Sequence, residues 1–349
     1  METRSVNWES LREYCQGLFV SLGMGKEDAF VVADNLVDAD LCGVESHGVS
    51  RMSIYMKRVE TGVVSKDARI EILQEYPASL ALNAKNAMGM VAGKYAMERC
   101  IEKAKENGSC FATVNNSNHY GMSAYYASMA ARENMFALTG TNAPPNIAPW
   151  GSYQAYQGTN PIAFAVPTSG EPIILDMAPS VVAMGKVILA AKLGKDIPEG
   201  WALTKDGQPT TNAKEGMEGT VLPIGGPKGY GIAVFVDILS GILSGAQFGP
   251  HLNNMWNDFE NPQNVGHFFL AVDIAKFVDI KVFKTRVKQM VGEVKALPKN
   301  PGVEEILMPG EPEQRRRQDR KSSGLNLSTV VYEELKSLGE KYGVAFTLK

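Results

Sequence analysis

The segment Asp40-Leu-Cys-Gly-Val-Glu-Ser-His-Gly-Val-Ser-Arg-Met52 holds His47, one of only four histidines in the chain, with Ser46 before it and Arg51 four residues on. In a helical turn, positions i and i+4 share a face. His47 can then offer a proton beside the flat guanidinium fork of Arg51. An acid–base group next to a carboxylate clamp suits redox chemistry on a 2-hydroxy or 2-oxo acid. An isolated His-x-x-x-Arg is more often an ordinary surface pair, so the weight rests on what accompanies it.

Outward from this segment, the first third reads as helical. Apolar residues recur at helical spacing over 8–22 and, after the Gly23-Met-Gly break, over 27–41; a third helix is predicted over 48–60, closed by Gly62. Beyond residue 65 the pattern changes to alternating strands and helices: strands at 68–73, 79–83, 110–115 and 135–139, helices at 89–106 and from about 121 to 134. Residues 141–172 are rich in Pro and Gly, a long irregular stretch of a kind usually tied to function. Residues 173–178 read as a buried strand, 229–243 as an apolar helix suited to tight packing or a subunit interface, 292–324 as polar, and 327–342 as a terminal helix.

With 349 residues, 44% hydrophobic and 21% charged, the chain reads as a globular protein too long for one typical domain. A net charge of −3 gives no global attraction to nucleic acid or anionic membranes. Cys15, Cys42, Cys100 and Cys110 have no metal-ligand spacing and read as buried thiols in a reducing compartment. No secretory signal is expected at the N-terminus, and the longest apolar run, 232–246, is too short to span a bilayer. The expectation is a cytoplasmic protein without metal. The basic run 315–321 contains Asp319 and no aromatic residue, so it reads as a solvated helical face rather than a nucleic-acid arm.

Neither G-x-G-x-x-G nor a Walker motif occurs, so any dinucleotide must be held otherwise. Asn118-His-Tyr-Gly places His119 at a strand end, where α/β sites put polar groups. His251 and His267 have less suggestive surroundings. Asp176 closes a strand, a position for a ligand contact or a helix cap. Gly225-Gly-Pro-Lys-Gly-Tyr-Gly231 sets Lys228 among glycines before a helix, the outline of an anion site. Pro309-Gly-Glu-Pro-Glu313 reads as a turn with two carboxylates.

Gly43-Val-Glu-Ser-His-Gly with Arg51, Asn118-His-Tyr-Gly, Ala148-Pro-Trp-Gly, Gly158-Thr-Asn-Pro-Ile-Ala-Phe, Leu175-Asp-Met-Ala, Gly226-Pro-Lys-Gly-Tyr-Gly and Met308-Pro-Gly-Glu run in order from residue 40 to 311. Together they resemble the non-Rossmann malate/L-lactate dehydrogenase superfamily, which includes ureidoglycolate, sulfolactate and diketogulonate-type enzymes. The resemblance implies an α/β fold with a helical lobe from both termini (1–70 joined by 300–349) and a central mixed α/β cofactor-binding lobe (71–299). It implies a homodimer using NAD, with NADP possible, on a small 2-hydroxy or 2-oxo acid such as malate, lactate or ureidoglycolate. The implied substrate pocket contains Ser46, His47, Arg51, Tyr55 and His119, with the first four on one helix. The implied cofactor contacts are Asn142, Ala143, Asp176, Met177, Ala178, Lys228, Gly229, Pro309, Gly310 and Glu311. Which histidine moves the proton stays open, with a lean to His119 and His47 orienting the oxygen. The Gly226–Gly231 and Phe248-Gly segments are a faint cue to the ureidoglycolate branch. The rival reading is a non-catalytic dinucleotide or small-acid binding protein on the same fold.

Overall fold

A computed structural model describes residues 2–348. The chain opens with a short strand, β1 (Thr3–Val6), followed by α1 (Trp8–Ser21) and α2 (Lys26–Leu41). The Asn7 side chain accepts from the Ser10 amide and so caps α1. Two 3-10 turns, Glu45–His47 and Val49–Arg51, then lead into α3 (Met52–Glu60). The helix predicted over 48–60 is formed from Val49 on, with a 3-10 first turn, but Ser46 and His47 lie outside it in a separate turn. Gly48 is extended (ψ −155°) between the two turns, and a Cβ there would lie 2.0 Å from an Asp40 carboxylate oxygen.

The middle of the chain supplies β2 (Glu71–Tyr76), β3 (Ser79–Asn83), α4 (Gly89–Asn107), β4 (Ser109–Ser117), α5 (Ser123–Arg132), β5 (Met135–Thr141), β6 (Ile162–Val166) and β7 (Ile173–Met177). Gly108, in the left-handed region at φ +90°, ends α4 as its sequence predicts. The strand expected at 68–73 lies three residues later. A small lobe follows: α6 (Met184–Lys192), β8 (Ala202–Leu203), β9 (Pro209–Thr210), α7 (Ala213–Glu218) and β10 (Thr220–Val221), packed on Val187, Ile197, Ala202 and Val221. Then come α8 (Pro227–Asp237), running into a π-helical turn at Ile238–Ile242, and β11 (Val265–Asp273), α9 (Ile280–Lys295), α10 (Glu311–Ser323), β12 (Leu325–Ser328) and α11 (Thr329–Tyr342).

Seven strands form one mixed sheet in the order β2-β3-β4-β11-β5-β6-β7, with β3 and β4 its parallel pair. β11 comes last in sequence yet lies at the centre, between β4 and β5. Its run Val265-Gly-His-Phe-Phe-Leu-Ala-Val is apolar almost throughout, as suits a strand covered on both faces. α4 and α5 pack on this sheet around Met97, Cys100, Tyr126 and Phe269. β7 is an edge strand and only half buried, not the buried strand the apolar run predicts.

The helical core joins both ends of the chain: Leu11, Leu18, Phe19, Leu36 and Met56 pack with Leu325, Leu335 and Leu348. β1 pairs antiparallel with β12, so α11 starts at Thr329 rather than 327. α10 lies against α2. The basic run is thus only partly a solvated face: Arg317 pairs with Asp38 (2.7 Å) and Arg320 with Glu45 (2.8 Å). The acidic turn at 309–313 becomes the start of α10, with Pro312 in its first turn, where a missing N–H costs nothing. Among the described residues no helix is long and apolar enough to cross a membrane.

Candidate active site

The turn between α2 and α3 is held from below by Asp40. Its buried carboxylate accepts the Val49 amide (2.8 Å), and burial pushes its pKa up to about 7. This anchor turns Ser46, His47 and Arg51 toward the loop after β4, where His119 lies. His47 and His119 stack with ring centroids 5.5 Å apart and planes 26° apart. Tyr55, buried on α3, meets His119 Nδ1 at 2.6 Å. The structure thus gathers all five residues of the expected substrate pocket, although from two tight turns and a helix rather than from one helix. His119 itself lies in the loop between β4 and α5, not at a helix start.

Arg51 is fixed from two directions. Its Nε donates to the Ser46 carbonyl (2.6 Å), and the Trp256 ring lies 4.5 Å from the guanidinium carbon. Among the described residues neither terminal nitrogen has a hydrogen-bond or ion-pair partner, so the outer fork is open to a carboxylate. Burial lowers the pKa of Arg51, though a guanidinium stays charged in proteins.

The two imidazoles differ in what they can do. The Gly121 amide points at His119 Nδ1 from 3.2 Å. A backbone N–H can only donate, so Nδ1 is an acceptor and the ring proton sits on Nε2. A histidine that cycles its proton through Nε2 must keep Nδ1 protonated throughout, which the Gly121 contact opposes. Nδ1 is thus taken up by the Gly121 amide and the Tyr55 hydroxyl, and Nε2 is the nitrogen left to face a ligand. Burial, then the neighbouring His47, Arg51 and His267, hold its pKa well below the ordinary value. His47 has no such constraint. Its Nδ1 meets the Ser46 hydroxyl at 3.0 Å, a group that accepts as readily as it donates, and its Nε2 has no partner among the described residues. Burial, with Arg51 second, pushes its pKa down to about 4.

Ser46 and His47 open onto a cavity of about 840 Å³, within the range of roughly 300–1,000 Å³ for ligand sites. Asp176, Met177, Ala178 and Gly310 line it, and so do Arg132, Lys186 and Lys284, which have no ion-pair partner among the described residues. His119, Arg51 and Tyr55 stand behind His47 rather than on its wall. The Asp176 carboxylate faces the cavity and is reached by solvent, yet it is surrounded by protein. It accepts the Ala124 amide (2.7 Å) and so caps α5 from across the cleft, and burial pushes its pKa up to about 6.

Other expected cofactor contacts are placed differently. The Asn142 side chain is engaged internally: it donates to Gln247 O (2.8 Å) and Asp237 (3.2 Å) and accepts the Gly266 amide (3.0 Å). The Ala143 amide bonds the Asn160 side chain. Lys228 is exposed in the first turn of α8, and Gly229 packs so closely that a Cβ would meet Ile224 O at 2.2 Å. The Ser180–Pro223 bridge lays this turn beside the exit of β7. Pro309 and Glu311 line a smaller adjoining cavity of about 490 Å³. Glu311 bonds Lys295 (2.7 Å), Arg315 and the Met308 amide, and Lys295 foremost holds its pKa down to about 2. It braces its own loop.

His267 is buried and bonded through both nitrogens to Thr141 and Ser117, a structural residue. Three site residues escaped the sequence reading. Asp40 stands at the edge of the quoted segment, but nothing local marks it as an anchor. Trp256 and Gln263, whose side-chain oxygen accepts the His119 amide (3.1 Å), come from a loop far along the chain.

A family model described as malate/L-lactate dehydrogenase matches residues 6–336. The chain belongs to the malate/L-lactate dehydrogenase family. It is a dehydrogenase of the class acting on the CH–OH group of hydroxy acids. It is 41% identical over 335 residues to a malate dehydrogenase of Pyrococcus horikoshii, covering 94% of this chain and 92% of that one. It is 32% identical over 331 residues to the ureidoglycolate dehydrogenase (NAD(+)) of Escherichia coli K12, covering 95% and 94%. The lower figure gives the faint ureidoglycolate cue no support. The solved sulfolactate dehydrogenase of Methanocaldococcus jannaschii superposes with a TM-score of 0.93 at 35% identity, covering 98% of both chains. The mixed α/β fold is that of this family.

Proposed function

We propose that the protein transfers a hydride between NAD(H) or NADP(H) and a small 2-hydroxy or 2-oxo acid, with Arg51 holding the substrate carboxylate and His47 moving the hydroxyl proton. The observation that carries this is the open Arg51 fork beside two imidazoles with unlike hydrogen-bond partners. The donor set suits a dinucleotide: three unpaired cations and a gap between turns, lined in part by Asp176, Met177, Ala178 and Gly310, where an anionic pyrophosphate and its sugars find partners. Lys228, exposed at the start of α8, adds a cation near the β7 exit. When bound, the nicotinamide gives or takes the hydride.

The chain's own groups do the rest. Arg51 holds the carboxylate by paired N–H bonds, worth roughly 1.5–3 kcal/mol each for charged partners, and so fixes C2 in position. His119 Nε2–H bonds the oxygen on C2 and polarises it while staying neutral, the way a lowered-pKa imidazole acts as an electrophile. His47 takes the proton from that oxygen in oxidation and returns it in reduction, with Ser46 on its far nitrogen. This reverses the sequence-based lean toward His119.

Several readings accompany the activity. A stripe of Ile232, Phe235, Ile238, Ile242 and Leu243 is exposed along α8 and its π-helical turn and supports a homodimer. Four unpaired, buried cysteines suit the cytoplasm. The test of the central reading is one variant beside the wild type. Arg51→Gln should raise KM for the acid at least tenfold while the coenzyme Kd, followed by nicotinamide fluorescence, stays within twofold. Equal KM values in wild type and variant would remove the carboxylate clamp from the account.

A further inference from the structure

We propose that Trp256 sets the affinity and selectivity for the acid, and that the loop from Leu252 to Gln263 is a clasp, pinned by Arg58, that positions both halves of the site. This rests on the functional reading above. Arg58 is 1% exposed and, among the described residues, makes no close ion pair, with the Asp258 carboxylate acting on it only from a distance. Its Nη1 donates to the carbonyls of Met255 (3.2 Å) and Asp258 (2.5 Å), both in this loop. A buried guanidinium given over to two loop carbonyls acts as a fastening, and Met255 is drawn into the helical core with it.

The loop also braces itself. Asn254 accepts the Trp256 amide (2.8 Å), the Asp258 carboxylate accepts the amides of Glu260 and Asn261, and Lys57 lies over the Phe259 ring at 3.8 Å. From this frame two side chains reach the site. Gln263, 2% exposed, bonds the His119 amide, and the Arg51 guanidinium carbon lies over the Trp256 ring, 4.5 Å from its centroid. The contact holds the cation in place by cation–π attraction and uses none of its terminal N–H groups, which stay available to a carboxylate. Half of Trp256 remains exposed, so the substituent beyond C2 of a bound acid meets indole.

The test uses the full-length protein with Trp256→Ala, Trp256→Phe and Arg58→Met, and oxalate as a non-reacting carboxylate probe. Trp256→Ala should raise the oxalate Kd and the KM of the acid by roughly 3- to 30-fold, the range of a cation–π contact. Its kcat, coenzyme Kd and thermal midpoint should stay close to wild type, and Trp256→Phe should recover most of the loss. Arg58→Met should raise KM and lower kcat together, because it also frees Gln263 from His119. Unchanged oxalate binding in Trp256→Ala, with wild type binding oxalate and turning over, overturns this proposal alone. Absence of oxalate binding and of turnover in wild type overturns the functional reading beneath it.

Discussion

Gly121 stands at φ +77°, with its amide aimed at His119 Nδ1 and the position of a Cβ 2.0 Å from Asn35 Oδ1. Its conformation thus serves both the turn after β4 and the tautomer of the histidine. Two predictions belong at this scale. His119→Gln, which keeps an N–H donor, should cost less in kcat than His47→Gln, which removes the proton carrier and should cost about 10²–10⁴-fold. Steady-state rates of both variants decide the order. Oxidation of the hydroxy acid needs a neutral His47, whose pKa is pushed down to about 4. Its kcat/KM should therefore hold level as pH falls through the ordinary histidine value of about 6.5 and drop only near 4. An acid limb centred near 6.5 would show that the working enzyme does not hold the pKa of its base down.

Between α2 and α3, function depends on a break at Gly48 that sets Ser46 and His47 on a turn of their own, apart from the helical run that carries Arg51 and Tyr55. The reason is local: Gly48 must lie flat against the Asp40 carboxylate, and no periodicity in the sequence reports a contact eight residues away. Gly48→Ala should drive a methyl into that carboxylate, lower stability by about 1–3 kcal/mol in urea titrations, and weaken acid binding through a displaced Arg51. The residues of the site were nonetheless legible here, because Ser46, His47 and Arg51 keep their chemistry whatever turn carries them. The end of α4 was legible too, since a glycine after a periodic stretch has one common use. β11 was not: an unbroken apolar run fits a buried strand or helix segment equally, and its partners β4 and β5 lie more than 100 residues away. The apolar run at 173–178 misled for the related reason that burial depends on neighbours, and β7 has a neighbour on one side only.

Over the whole molecule, titration ties site to stability. His47 and His267, with pKa values pushed down to about 4 and 3, and His119, held well below its ordinary value, contribute stability that is complete above about 6.5 and is lost as pH falls through those lower values. Asp40 and Asp176, raised to about 7 and 6, act with the opposite sign: their contribution is full in acid and is lost as pH rises through those values. The two sets oppose one another between about pH 4 and 6.5. Below 4 the carboxylates have no further effect, while His267 and the depressed Glu311 still take up protons on unfolding. The urea midpoint should fall only shallowly from pH 6.5 to 4 and steeply below. An equally steep decline starting at 6.5 would mean that the two aspartates do not offset the histidines. At this scale the sequence was read least from composition and most from motif order. Segments from residue 40 to 311 converge on one cleft, yet Asn142 and Glu311, chosen as cofactor contacts by resemblance, have side chains engaged in holding loops.

The most direct measurement follows reduced-nicotinamide absorbance with NADH and NADPH separately, against oxaloacetate, pyruvate and related 2-oxo acids, for wild type and His47→Gln side by side. Wild type should oxidise a coenzyme with at least one acid, and His47→Gln should lose that turnover by about 10²-fold or more while still binding coenzyme. Undiminished turnover in His47→Gln, or an inert wild type across the panel, would contradict the account.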